Sequence, residues 1–150
     1  MRRAGVEDLE ALFAIQRASA LAGYANVFPA ELYPFPDDAV REQLRIQLAD
    51  PAVVAIVDDA GHGYVLVRPG WLERLYVHPD GWGSGVGGRL HDEALAALRG
   101  MGSSSASLWV LAENARARGF YERRGWYLNG DERVVPFPPK PIDVGYSIDL

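Results

Sequence analysis

The 150-residue chain has no cysteine, which excludes disulfides, thiolate metal sites and cysteine nucleophiles and leaves the redox compartment unmarked. Lysine is nearly as scarce: Lys140 is the only one. A P-loop, which needs Lys followed by Ser or Thr behind its glycines, is therefore excluded as well. No apolar run approaches the roughly 20 residues that cross a bilayer. Met1-Arg2-Arg3 is followed by Glu7, Asp8 and Glu10 instead of the apolar stretch of a signal peptide. These absences predict a soluble, cytoplasmic protein without a membrane partner. Basic residues form only short local clusters, as at Arg116, Arg118, Arg123 and Arg124, against a net charge of −5. Phosphate backbones need a basic face, so a nucleic-acid partner is not expected. The acidic balance instead favours encounter with a cationic small molecule or a basic peptide end. His62 falls in a hairpin, His78 beside a glycine-rich loop and His91 on a polar helix face. That is no metal constellation, and no metal is expected.

What is present is enough apolar sequence, 49% of residues, for one domain over residues 1–150 with a real core. Residues 6–21 carry Leu9, Leu12 and Phe13 at helical spacing with acids in the first turn, and predict a helix. Residues 22–36 are aromatic and broken by proline, which predicts an irregular or briefly helical connection and a candidate pocket wall. Asp37 and Asp38 stand where helix caps stand, before Val40, Leu44 and Leu48 at intervals of four. Short strands are expected at 53–57, 63–67 and 71–77, joined by turn-forming residues. A helix at 85–98, a strand at 107–111 and a helix at 115–124 follow. Strands at 126–128 and 143–150 flank a proline-rich loop. Hairpins followed by strand-helix units imply an α+β (mixed α/β) domain, with a central sheet of about six to seven strands, part antiparallel and part parallel, and about four helices. The last strand offers an edge for a homodimer.

Between Gly81 and Gly88 the chain has five glycines, opening a helix directly after a strand. Free amide groups in the first turn of a helix, together with its dipole, suit a phosphate or pyrophosphate. Gly83-x-Gly85-x-x-Gly88 also fits the dinucleotide-binding pattern, so the loop by itself admits a Rossmann oxidoreductase. A Rossmann site would follow the first strand and find an acid about 20 residues on, whereas this loop follows the third strand of a meander and Leu108 and Trp109 stand at that distance.

Leu75-Tyr76-Val77-His78-Pro79 followed by Trp82-Gly83-Ser84-Gly85-Val86-Gly87 resembles the acyl-coenzyme A binding motif of the GNAT N-acetyltransferase superfamily, with Trp82 where that family usually has Gln or Arg. A second stretch, Asn114-Ala115-Arg116-Ala117-Arg118-Gly119-Phe120-Tyr121-Glu122, ahead of Gly125-Trp126, is similar to the family's later motif, with Trp126 for Phe. In the right order, the two extend the resemblance over nearly the whole chain.

The resemblance implies a domain in which the strands ending at Val77 and Leu111 splay apart to admit the pantetheine arm of acetyl-coenzyme A. Leu75, Tyr76 and Val77 would meet that arm, Gly83, Ser84, Gly85, Val86, Gly87 and Gly88 the pyrophosphate, and Asn114 the arm again. Tyr121 matches the tyrosine that gives a proton to the departing thiolate. As bare residues, Asn114 would more often cap a helix and Tyr121 pack a core. Trp109 and Trp71 stand where relatives carry a basic glutamate, and Glu73, of the same strand parity as Trp71, is the remaining candidate for general base. An exposed carboxylate paired with an arginine is the alternative for Glu73. Tyr24, Phe28, Tyr33 and Phe35 are candidates to line the acceptor pocket, with Phe137 and Pro138 opposite. The expected activity is transfer of an acetyl group to a primary amine of a small molecule or peptide. The alternative is an acyl-coenzyme A sensor that kept the fold and lost the base.

Overall fold

The aspartate-rich turn after Val57 folds two β-branched runs into a hairpin, β2 (Val54–Val57) and β3 (Gly63–Arg68), closed by the Asp58 amide donating to the Gly63 carbonyl. Arg68-Pro69-Gly70 turns the chain again into β4 (Trp71–Val77). The sheet grows on both sides of this meander. β1 (Arg2–Ala4) pairs antiparallel with β2, while β5 (Ser105–Leu111), β7 (Ile142–Asp149) and β6 (Tyr127–Val134) extend it beyond β4. The order is β1-β2-β3-β4-β5-β7-β6, and only β4 and β5 run parallel. The structure, a computed structural model, describes residues 1–25, 27–29 and 31–150.

Helices cover both faces because β3 is buried on both. Tyr64 and Leu66 face α1 (Leu9–Gly23) and α2 (Asp37–Ala49), packing with Leu12, Phe13, Val40 and Leu44. Val65 and Val67 face the other way, onto Val86, Leu90, Ala94 and Leu98 of α3 (Val86–Gly100). The short α4 (Ala115–Glu122) adds Tyr121 to that second layer. Burying a leucine such as Leu90 or Leu98 completely contributes about 1.5–3 kcal/mol each.

Among the described residues the sheet thus has seven strands with four α-helices around it. The last strand, expected to offer an edge for a homodimer, is instead enclosed between β5 and β6, and several boundaries differ from the sequence expectation. β1 was not anticipated, because three residues led by two arginines carry no apolar alternation; its partner β2 supplies the pairing. The first helix starts at Leu9, after a 3₁₀ turn over Val6–Asp8. Pro36, not an aspartate, occupies the N-cap of α2, and Asp37 and Asp38 lie in its first turn, where they meet the helix dipole. β6 runs to Val134 instead of stopping near 128, with an irregularity between Leu128 and Glu132. Of the connection at 22–36, Asn26 and Ala30 lie outside the described residues.

Candidate active site

β4 and β5 meet as a parallel pair only at Trp71 and Ser107, where the Ser107 amide donates to the Gly70 carbonyl at 2.9 Å. Beyond this point they separate. The cause lies on β4: Arg74 pairs with Leu66 and Leu72 with Val67, so Glu73 is one residue too many for β3 and forms a bulge. A bulge adds twist and bends its strand. It also puts Glu73 and Arg74 on the same face, where both line a cleft of about 1010 Å³ between the sheet and the α1–α2 side. At the far end of β4, the His78 amide donates to the His62 carbonyl. By alternation the peptide groups of Val77 point away from β3, toward the open edge, while those of Tyr76 point to β3. Tyr76 instead turns its ring to the cleft face, 5.9 Å from Tyr64.

The glycine-rich loop follows at once. His78 Nδ1 accepts from the Asp80 amide, and the Trp82 indole N–H donates to the Val77 carbonyl at 2.9 Å. Ser84 Oγ donates to the Gly81 carbonyl at 2.6 Å. Gly83 and Gly85 sit at φ +78° and +85°, in the left-handed region that a side chain adopts only at a cost. The first bond into α3 runs from the Arg89 amide to the Gly85 carbonyl, leaving the amides of Gly87 and Gly88 without an intrahelical partner and directed out of the helix start. Two guanidinium groups from α4 and its end complete this region. Arg116 lies 4.1 Å from the Trp82 ring centroid, and Arg124 reaches to 3.0 Å of where a β-carbon of Gly88 would stand. Amides at a helix start with flanking arginines make a donor set for an anionic phosphate ester. The sequence reading treated both arginines as scattered charge. Their spacing from the glycines carried no signal, because α4 meets α3 only in the folded chain.

Tyr121 stands over the gap, 7% exposed and lining the cleft. Phe120 and Trp126 hold its ring edge-on at 5.2 and 5.8 Å. Burial, with the Tyr76 phenol next in effect, raises its pKa well above that of an ordinary phenol, while Arg124 opposes. The Tyr24 phenol is raised too, by burial and then by Tyr76. Asn114 caps α4, its Oδ1 accepting from the Ala117 amide at 3.1 Å, and its side chain borders the cleft. Tyr24, Phe28, Tyr33 and Phe35 line the α1–α2 wall, with Phe137 and Pro138 across from them.

On the sheet wall Trp71 and Trp109 stack, centroids 6.3 Å apart. Arg68 lies over the outer side of this pair at Trp71 and Arg133 at Trp109, 5.2 and 4.7 Å from the ring centroids. Arg68 also binds Glu73 Oε1, and Arg133 donates to Asp143 Oδ2 at 2.9 Å. Glu73 is thus a carboxylate paired with an arginine, yet one that borders the cleft. Asp143 was not singled out from the sequence, since a lone acid at a strand start looks like any other.

His62 and His78 meet only through the backbone, the His78 amide donating to the His62 carbonyl. His91 corrects the expectation of a polar helix face: it is 2% exposed, accepts from Trp126 Nε1 at 2.9 Å, and burial lowers its pKa below the ordinary imidazole value. No group of three or more metal-ligating side chains occurs among the described residues.

A mixed sheet whose parallel pair parts beside a glycine-rich helix start has the architecture of an acyltransferase. The profile of the acetyltransferase (GNAT) family matches residues 18–126. Over 146 residues the chain is 30% identical to the peptidyl-lysine N-acetyltransferase YjaB of Salmonella typhimurium, with 92% of each chain covered. Its fold is similar to that of the PaiA N-acetyltransferase from Thermoplasma acidophilum in complex with coenzyme A, at TM-score 0.79 and 19% identity over 99% of this chain and 97% of that one. It is also similar to a GCN5-related N-acetyltransferase from Rhodopseudomonas palustris, at TM-score 0.81 and 21% identity over 99% and 94%. The chain belongs to the acetyltransferase (GNAT) family and is an acyltransferase.

Proposed function

We propose that the protein transfers the acetyl group of acetyl-coenzyme A directly to a primary amine of a small molecule or peptide. The observation that carries this is the opening between β4 and β5, with the outward N–H of Val77 on one side, free helix-start amides at one end and the Tyr121 phenol lining the same cleft. Those donors suit a pyrophosphate and an extended amide-bearing arm. Acetyl-coenzyme A supplies an acetyl group activated as a thioester, which an amine converts to an amide with release of the thiol.

The residues then divide the work. Gly83 to Gly88 hold the pyrophosphate through backbone amides, with Arg116 and Arg124 adding charge. Leu75 and Val77 pair with the arm, and the Val77 N–H donates to the acetyl oxygen as negative charge develops there. The Tyr76 ring and the Asn114 amide border the arm. Glu73 takes the proton that the arriving ammonium must lose before its nitrogen can attack, through the Oε2 that Arg68 leaves free. Tyr121, kept protonated by its raised pKa, donates to the departing sulfur. Tyr24, Phe28, Tyr33 and Phe35 exclude water around the amine. Neither a cysteine nor a Ser-His pair is needed, so no acyl-enzyme forms.

The relative named for peptidyl-lysine acetylation supports a peptide amine among the candidates. The test is thiol release from acetyl-coenzyme A across a panel of primary amines, free and peptide-borne. Release with at least one amine, lost in Tyr121→Phe while acetyl-coenzyme A still binds, is the expected result. Binding with no release across the panel would overturn the reading in favour of a binding-only protein.

A further inference from the structure

The cleft holds a second carboxylate besides Glu73. Asp143 is the second residue of β7, opposite Leu111 at the end of β5 and opposite Arg133 on β6. The residue is 7% exposed, and its only side-chain hydrogen bond among the described residues uses Oδ2, toward Arg133. Oδ1 makes none and is not sealed in, since among the described residues His91 Nδ1 is the one fully buried side-chain polar atom without a partner. Asp143 lines the cleft, and its pairing with Leu111 puts its side chain on the same face of the sheet as Trp109. A carboxylate oxygen withdrawn this far from water is costly unless something cationic meets it. Arg133 meets only half of the carboxylate, and its guanidinium is drawn aside over the Trp109 ring.

The position within the cleft adds to this. Asp143 pairs with Leu111, the last residue of β5, and lines the same cleft as Tyr24, Tyr76 and Tyr121, so it belongs to the end where β4 and β5 have parted. Glu73 sits lower on the sheet, at the bulge beside Trp71, where its partner is Arg68. The rings of Trp71, Trp109 and Tyr24 line the same cleft as the two carboxylates and favour a cation over a neutral guest.

The geometry points to Asp143 as the residue that recognises the acceptor: its free Oδ1 receives the ammonium of a cationic amine and holds that nitrogen at the end of the parted strands, with Arg133 positioning the carboxylate. This rests on the acetyltransferase reading above and makes the acceptor a protonated alkylamine, such as a lysine side chain or a diamine.

The test compares two nucleophiles at pH 7.5 with saturating acetyl-coenzyme A: Nα-acetyl-lysinamide, which arrives as an ammonium, and hydroxylamine, which arrives neutral. Losing one charge-assisted contact should raise KM for the lysine probe in Asp143→Asn by about 10- to 100-fold, with KM for hydroxylamine changed less than about twofold. Asp143→Glu should recover part of the loss. Arg133→Gln, which leaves Asp143 its charge but removes the group that holds it, should raise the lysine KM by less than Asp143→Asn does. Equal losses for both nucleophiles, or no loss for the lysine probe, would overturn the assignment. If the parent protein turned over neither probe nor any amine of the panel, the acetyltransferase reading itself would fall, which is a separate outcome. Thermal melting of each variant, read with acetyl-coenzyme A affinity, identifies a variant that has merely lost its fold; Asp143→Glu then carries the comparison.

Discussion

The indole N–H of Trp82 donates to the carbonyl oxygen of Val77 at 2.9 Å, across the turn that joins β4 to the glycine-rich loop. Val77 carries the last peptide group of the open edge, and Arg116 rests on the opposite flank of the same indole. One side chain therefore ties the strand end, the loop and the start of α4 together. This is a physical role for the tryptophan that replaces the family's usual Gln or Arg.

Replacing Trp82 by Phe keeps an aromatic face for Arg116 and removes only the donor. The expected cost is about 1 kcal/mol of stability, with acetyl-coenzyme A affinity falling more than amine KM. Calorimetric titration with acetyl-coenzyme A, set beside steady-state kinetics, separates the two.

Tyr121→Phe removes a hydroxyl and leaves the ring in its frame of Phe120 and Trp126. A general acid is worth about 10²- to 10⁴-fold, so kcat should fall in that range while acetyl-coenzyme A affinity holds. Because burial raises the phenol's pKa, its deprotonation should produce no decline in kcat up to about pH 10, the value of an unperturbed phenol. A pH–rate profile of the parent enzyme checks this.

His91 gives a stability prediction of definite sign. Its Nε2 accepts from Trp126, so the proton sits on Nδ1, and burial outweighs the nearby Asp92 carboxylate in holding the pKa below 6.5, with Arg124 pushing the same way. In the unfolded chain the imidazole takes up its proton near pH 6.5. Between that pH and the lower folded value, the unfolded state binds more protons, so stability falls as pH drops through this window. Melting temperatures from pH 7.5 to 5 should decline in the parent and decline less in His91→Gln.

Gly85→Ala places a β-carbon at φ +85°. The nearest atom to it, a nitrogen of Arg89, is 3.5 Å away, so crowding is minor and the cost is backbone strain, about 1–2 kcal/mol. Because the loop relaxes by turning its amides, affinity for acetyl-coenzyme A should fall several-fold or more. Chemical denaturation and titration of the same sample measure the two effects.

Much of this was legible from local chemistry. Alternating and 3.6-residue patterns located the four helices and most strands, since each needs only neighbours in sequence. The glycines at 83 and 85 announced a backbone that other residues avoid. The boundaries that failed are those set by a partner: β1 exists because β2 offers an edge, and β6 continues to Val134 because β7 runs beside it. His91 looked polar on a helical wheel, and only the arrival of Trp126, 35 residues later, buries it.

By itself the sequence determined the order of elements, the glycine-rich helix start and the two motifs that resemble the acetyltransferase family, because each is written in consecutive residues whose backbone requirements are local. Only the tertiary structure decided what faces the cleft. Register and a one-residue bulge part β4 from β5, bring Trp71 against Trp109, and set Glu73 and Asp143 on the same wall under two arginines. Glu73 and Asp143 lie 70 residues apart in the chain, and no local rule couples them; packing and strand pairing do.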